Sequence, residues 1–492
     1  MSEVGPTIAP ADLVPAVAAD VRRGRRLAAL VALAEPDDST SLLVVLAGDS
    51  TLEVRRTELP PGVRTYPAIS VEVPSAAWYE REIHDLFGLV AQGTGPLEPV
   101  VLPRAPASPH PMSLTPPSTI AGIQPKPAER ARGEGVFTLH YGPVRSGVFE
   151  SIQYLVETVG EEIPHLGVLV HHKHRGLEQR FSQLAVPDAV LLAERVEGTA
   201  AVAHALAFSQ AIEELGGVSP PRPAGLLRVV HAELERIATH LDSVIRHTEG
   251  AGQAVANARM SVHKERILRL RAQLCGHRFG RGVVIPGGTT GPPLLEPTAA
   301  LAAVAELETP LRADLDALMA TPSFLDRLAQ TGWLDTSLAA AHGALGPVGR
   351  GSGVANDVRG DRPYAAYPEL GFVPATATEG DALARQQIRV EEIEGAVRLI
   401  RLALVELAGL PDGPWSVPVR AQDGTAIASV EAPQGELLYV VRVDSGRLIR
   451  VKPRTASFHN LGLLPRAFAG DIFTDFVFIE ASFGLSPAGV AL

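Results

Sequence analysis

The sequence predicts an α+β protein: a small N-terminal α/β domain, then a larger, mainly helical domain with peripheral β-strands. Three observations carry this. Short apolar runs separated by turn residues fill the first hundred positions. A proline-dense stretch follows. Beyond it lie long segments whose apolar residues recur at alternating three- and four-residue spacing, the signature of helices with one buried face.

In the first segment, Leu42 to Leu46 and Thr51 to Arg55 read as strands of a hairpin with Gly48-Asp49 at its turn. Ile69 to Val73 alternates apolar and polar residues and reads as a half-buried strand. Ala76 to Phe87 reads as a short helix closed by Gly88. Pro103, Pro106, Pro109, Pro111, Pro116, Pro117, Pro125 and Pro127 then fall close together. Proline at this density blocks both helix and ladder, so the chain divides into residues 1–103, a linker at 104–132, and residues 133–492.

In the larger segment, Val136 to Tyr141 and Ser151 to Thr158 read as strands. Leu227, Val230, Leu234, Ile237, Leu241 and Val244 form one stripe of a helix that stops at Gly250. Asp188 to Leu215, alanine-rich and bounded by Pro187 and Gly216, reads as a second long helix. Ala382 to Leu407 reads as a third, capped by Asp381 and ended by Gly409 and Pro411. Ala426 to Val430, Leu437 to Val443 and Leu448 to Val451 read as a late meander with a turn at Asp444-Ser445-Gly446.

Composition narrows the function classes. The 492 residues are 46% hydrophobic, enough for a sizeable core, and carry a net charge of -11. An acidic chain without a basic stripe is a poor partner for phosphate backbones, so no nucleic acid is expected. Cys275 is the single cysteine, which excludes an internal disulfide and any cluster built on several thiolates. No apolar run approaches the roughly 20 residues that span a bilayer, and no signal peptide is evident. The expected location is cytoplasmic, at the inner face of the membrane through partner subunits.

Two sets of motifs identify a family resemblance. Glu80-Arg81-Glu82, followed by Asp85-Leu86-Phe87-Gly88, resembles the signature of the 30-kDa subunit of respiratory NADH:quinone oxidoreductase. The remainder resembles the 49-kDa subunit, and more closely the large subunit of group 4 membrane-bound nickel–iron hydrogenases of the formate hydrogenlyase (hydrogenase-4) type. The carriers, in order, are Tyr141-Gly142-Pro143-Val144, His174-Arg175-Gly176-Leu177-Glu178, Glu194-Arg195-Val196-Glu197-Gly198, the loop with Arg350, Ser352, Asp357 and Arg359, then Gly380-Asp381 with Arg385 and Arg389, and Glu431-Ala432-Pro433-Gln434-Gly435-Glu436.

The resemblance implies a peripheral large subunit packed against a small iron–sulfur subunit and resting on antiporter-like integral membrane subunits. Its departures matter as much. Family cysteines that ligate nickel and iron fall at Glu197, Ala200, Ser486 and Gly489 here, and Gln434 stands where the family places an arginine beside the metal. Soft thiolates hold these metals, and none remains, so no cofactor is expected on this chain. The quinone-binding histidine and tyrosine of the 49-kDa subunits are also missing: Arg145 occupies the first position, and Phe181 to Val190 contains no tyrosine. What is left is a former active-site pocket of Arg145, Glu150, Glu197 and Gln434, suited to holding protons. Glu197, if buried, is expected to have a raised pKa or to pair with a cation such as Arg195. Two functions follow: a nickel-free subunit of an oxidoreductase complex that couples electron transfer to proton movement, or a non-catalytic scaffold in such a complex.

Other signals read blandly. In His171-His172-Lys173-His174, His174 belongs to the family motif and Lys173 is unfavourable in a cation site, so no metal is expected there. Gly349 to Gly353 lacks the lysine and spacing of a phosphate loop.

Overall fold

A computed structural model describes residues 3–94, 98–103, 110–113, 131, 133–145 and 150–492. Most of the proline-rich linker, and Ser146-Gly147 of the first β-loop, lie outside the described residues.

The N-terminal unit is a mixed four-stranded sheet with two helices, α1 (Leu13–Arg22) and α2 (Ala77–Phe87). Strands β1 (Glu3–Ile8), β2 (Arg26–Ala34), β3 (Thr40–Ala47) and β4 (Leu52–Leu59) lie in the order β1-β4-β3-β2. The predicted hairpin is β3–β4, antiparallel, with Ala47 opposite Leu52. Its other edge pairs β1 in parallel. Every residue of β3 is buried, because both faces of the sheet are covered. Helix α2 ends where predicted: Gly88 takes φ 72°, a left-handed cap that costs glycine nothing.

Ile69 to Val73 is not a strand. Ile69–Val71 is a 3-10 turn. The carboxylate of Glu80 explains the change, accepting the backbone N–H of Ile69 at 2.5 Å and of Ser70 at 3.3 Å. With those donors taken, and Pro67 and Pro74 on either side, no partner strand is needed.

The larger unit opens with the antiparallel meander β5 (Phe137–Tyr141), β6 (Gln153–Thr158) and β7 (His165–Leu169). The single long helix expected over 188–215 is two: α3 (Val186–Ala193) and α4 (Ala201–Gly216). The break at 194–200 has tertiary causes. Glu194 turns to accept the N–H of Gly282 at 2.6 Å, and Glu235 accepts the N–H groups of Val202 and Ala203 at 2.8 and 3.0 Å, capping α4 from a neighbouring helix.

A bundle follows: α5 (Arg222–Gly250), α6 (Ala254–Cys275), α7 (Pro297–Met319) and α8 (Ala382–Gly409). The stripe of α5 packs against α6 and α8, with Leu234, Leu241 and Val244 in a core shared with Ile393, Ile400 and Leu404 of α8. Asp381 caps α8 by accepting the Ala384 N–H at 2.8 Å. The late meander is present as β8 (Gly424–Ala432), β9 (Gly435–Asp444) and β10 (Arg447–Arg454). Two short helices close the chain, α9 (Phe476–Phe483) and α10 (Pro487–Ala491).

The apolar core does not stop at the linker. One cluster joins Leu30 and Val44 of the N-terminal sheet to Leu438, Phe458 and Ile479 of the larger unit. The 30-kDa-like signature is the fastening. Tyr79 donates its hydroxyl to the Ala28 carbonyl at 2.9 Å and sits 2.7 Å from His459 Nε2. Asp85 accepts the N–H groups of Val100 and Val101 at 2.8 and 2.9 Å. Glu82 meets Lys452 of β10 at 2.6 Å, and the same ammonium meets Glu178 of the His174-Arg175-Gly176 motif at 2.7 Å.

Candidate functional site

The break between α3 and α4 turns Glu197 inward, where it is 2% exposed. Residues 486–489 at the start of α10 reach the same place from the far end of the chain. A Cβ built on Gly489 would overlap Glu197 Oε2 and come within 2.8 Å of the Thr455 side chain. Ser486 donates its hydroxyl to Glu150 at 3.0 Å, and the same carboxylate accepts the Ala488 N–H at 2.6 Å. Burial raises the pKa of Glu150; these two hydrogen bonds oppose the shift, and the charge of Glu197 reinforces it.

Arg175 of the His174-Arg175-Gly176 motif clamps the two segments together. Its guanidinium donates to the carbonyls of Val196 at 2.5 Å and of Ala488 and Arg195 at 3.0 Å. It also feels the charges of both Glu150 and Glu197. The expected partner Arg195 does not serve Glu197: it lies 3.5 Å from Glu194 and is half exposed. The direction of α3 decides this, because Arg195 emerges on the outer side of the break.

Glu197 Oε1 lies 3.5 Å from His204 Nε2 on α4, and His204 Nδ1 lies 2.7 Å from the Tyr439 hydroxyl. Glu197 Oε2 is buried without a hydrogen-bond partner. Behind it stands Glu235, whose pKa burial pushes up to about 7, against the pull of Arg271 and its two backbone hydrogen bonds.

Gln434, in the turn between β8 and β9, touches the Glu197 loop from its other side. It donates from Nε2 to Thr199 Oγ1 at 2.8 Å, while its Oε1 is buried and unpartnered. Arg145 takes a different position. It pairs with Glu480 of α9 at 2.8 Å and packs against the rings of Tyr141 and Tyr154. The structure thus brings Glu150, Glu197, Ser486 and Gly489 into one cluster, with buried Ala200 following in the loop and Gln434 bordering it. Arg145 is committed to Glu480.

Beneath the loop lies an ion network drawn from two of the sequence motifs and from helices α5 and α8. Arg350 reaches Glu431 at 2.8 Å, Asp357 at 3.2 Å, and Glu392. Arg359 reaches Asp357 at 2.7 Å and Glu233 at 3.3 Å; Arg236 reaches Glu233 at 3.0 Å and Glu392 at 3.4 Å. Three guanidiniums thus face four carboxylates, and burial pushes Glu431 up to about 7. Arrays like this are costly to desolvate and costly to break, so they fix one geometry. Glu233, Glu235 and Glu392 were not singled out in the sequence. Their only signal there is a carboxylate on the apolar face of a long helix.

The set at the four positions where the resemblance expects metal ligands, Glu197, Ser486, Ala200 and Gly489, is a carboxylate, a hydroxyl, an alanine and a glycine. It contains no sulfur and does not fit a nickel–iron centre. Cys275 belongs elsewhere, at the end of α6, with its thiol on the carbonyls of Arg271 and His277. Among the described residues no group of three or more histidine, cysteine or carboxylate side chains is arranged to hold a metal, which includes the His171–His174 run.

Residues 7–119 match the family described as the 30 Kd subunit of respiratory-chain NADH dehydrogenase, and residues 251–422 and 415–490 match its 49 Kd subunit. The carbon monoxide-induced hydrogenase of Rhodospirillum rubrum is 31% identical over 70% of this chain and 96% of its own length. The C/D polypeptide of NADH-quinone oxidoreductase from Gluconacetobacter diazotrophicus is 27% identical over 93% of this chain and 84% of its own. Formate hydrogenlyase subunit 5 of Escherichia coli is 25% identical over 85% and 76%. The chain belongs to the family of large subunits shared by respiratory NADH dehydrogenases and membrane-bound hydrogenases, with a 30-kDa-type domain fused ahead of a 49-kDa-type domain.

Proposed function

We propose that this protein is the large subunit of a membrane-associated oxidoreductase complex that works without a nickel–iron centre and couples electron transfer nearby to proton movement through its own carboxylates. The observation that supports the reading is the contact of Glu197 with Gly489: two positions that the resemblance assigns to metal ligands lie against each other, and they present an oxygen donor where thiolates would be needed.

The pocket is lined by groups that can exchange protons. Burial and the nearby charge of Glu197 raise the pKa of Glu150. Ser486 links to it, and Glu197, His204 and Tyr439 form a line toward the late meander. A change of charge on a neighbouring redox group would shift the proton occupancy of Glu150, which is the physical basis of the coupling. The electron carrier on this reading is an iron–sulfur cluster on a small partner subunit, with antiporter-like membrane subunits below. No helix among the described residues is long and apolar enough to cross a membrane, so attachment at the cytoplasmic face through partners fits.

The second reading is a non-catalytic scaffold. Gln434 in place of the family's arginine, already bonded to Thr199, favours it. The test is affinity purification from gently solubilised native membranes, with partners identified by mass spectrometry and the material assayed for iron and nickel. A small cluster-bearing subunit and multi-span proteins, with iron and no nickel, is the expected result. Partners without any iron would favour the scaffold. A lone protein would overturn the complex, and one nickel per chain would overturn the reading of the site.

A further inference from the structure

Between α5, α8 and α9, against the turn carrying Gln434, lies a small cavity of about 30 Å³ lined by Thr199, His240, Arg246, Arg389, Gln434 and Ala481 among others. Arg389 is the unusual member. It is 3% exposed, and its guanidinium makes one hydrogen bond, from Nη1 to the Arg385 carbonyl at 2.9 Å. No carboxylate among the described residues lies within ion-pair distance of it. Its neighbour Arg385 is fully buried and donates only to neutral oxygens: Ser482 Oγ and the carbonyls of Gly380 and Gly332. Every other arginine of this core, at 236, 350 and 359, has its carboxylates. Burying a guanidinium without an anion is expensive.

The other lining groups do not supply the missing charge. His240 is neutral, its pKa driven down to about 4 by burial, and it is bonded to Glu392 at 2.7 Å. Asp242 is engaged by Lys264 at 2.5 Å and Arg246 at 3.2 Å. Gln434 Oε1 is buried and unpartnered. Because the Thr199 hydroxyl can donate as well as accept, the Gln434 amide can present either its oxygen or its NH2 to the cavity.

We propose that this cavity is a binding site for a small planar monoanion of the carboxylate or bicarbonate class, held by the fork of Arg389 and oriented by the amide of Gln434. A planar oxyanion matches the guanidinium edge with two parallel hydrogen bonds. The volume admits a group the size of formate, nitrate or bicarbonate, since a water needs about 10–15 Å³ on the same measure. The site does not depend on whether the chain exchanges electrons.

The test is calorimetric titration of the purified full-length protein in chloride-free buffer with sodium formate, bicarbonate, nitrate and sulfate at equal ionic strength. Saturable binding of the planar monoanions at one per chain is expected, with no saturable heat from sulfate, a larger tetrahedral dianion. Arg389→Lys keeps the charge and loses the fork, and should weaken formate at least about tenfold. Gln434→Leu removes the amide, should also weaken it, and serves if the arginine variant misfolds. The proposal is overturned by no saturable binding, by sulfate binding as well as formate, or by unchanged affinity in both variants.

Discussion

Gly489 lies directly against the carboxylate of Glu197, although the two are separated by most of the larger domain, and a single methyl added to the glycine would overlap Oε2. Gly489→Ala should therefore destabilise the protein by about 1–3 kcal/mol through overpacking. Glu197→Ala, which empties that space, should recover part of the loss in the double variant. Urea denaturation of the four proteins checks this. Additive effects would mean that the two residues do not touch.

Lys452 ties the N-terminal helix to the His174-Arg175-Gly176 motif through Glu82 and Glu178. Burial raises the pKa of Glu82 to about 7 despite the ammonium, and the two cations Arg450 and Lys452 hold Glu178 low. Lys452→Met leaves two buried carboxylates facing each other and should cost about 3–5 kcal/mol. Glu82→Gln in the same chain removes one of them and should restore part of the loss. Loss of the N-terminal domain's protection in hydrogen exchange before that of α5 would show that the joint itself had opened.

Glu235 takes up a proton on folding. Its folded pKa, near 7, lies above the ordinary value of 4.5, so between those limits the native state binds more protons than the unfolded chain. Stability from this group is complete below about pH 4.5 and falls as pH rises through 7, by roughly 3 kcal/mol in all. The difference in unfolding free energy between Glu235→Gln and the parent should carry that slope. The infrared band of a protonated buried carboxyl should fade through pH 7 in the parent and shrink in the variant. A flat difference from about pH 5 to 8 would refute the assignment.

Cys275 is half-buried, and burial raises its thiol pKa. Alkylation in the native protein should be at least about tenfold slower than in denaturant, because the thiolate is the reacting form. Mass spectrometry after timed iodoacetamide treatment measures it directly.

Much of the architecture was legible because it is local. The stripe from Leu227 to Val244 and the cap at Asp381 are periodicities and end signals that any short segment displays. The same holds for the Asp444-Ser445-Gly446 turn, where Ser445 and Gly446 both take positive φ as a tight hairpin demands. Helices α6 and α7 were passed over because their apolar stripes are diluted by arginine and by alanine, which marks no face. Ile69 to Val73 misled for the opposite reason: its alternation was real, but Glu80 satisfied its backbone locally.

The sequence by itself determined the family, the two-domain order and the absence of thiolates at Glu197, Ala200, Ser486 and Gly489, since motifs and residue types need no coordinates. Only the tertiary structure decided that the helix expected over 188–215 breaks, because the acceptors responsible, Glu194 and Glu235, act on N–H groups far away in the chain. It likewise decided that Arg175 rather than Arg195 lies near enough to feel the charges of the buried carboxylates, and that Arg389 has none within ion-pair distance among the described residues. A side chain's charge is written in its name, but whether that charge is paired depends on burial and on which distant segment folds against it.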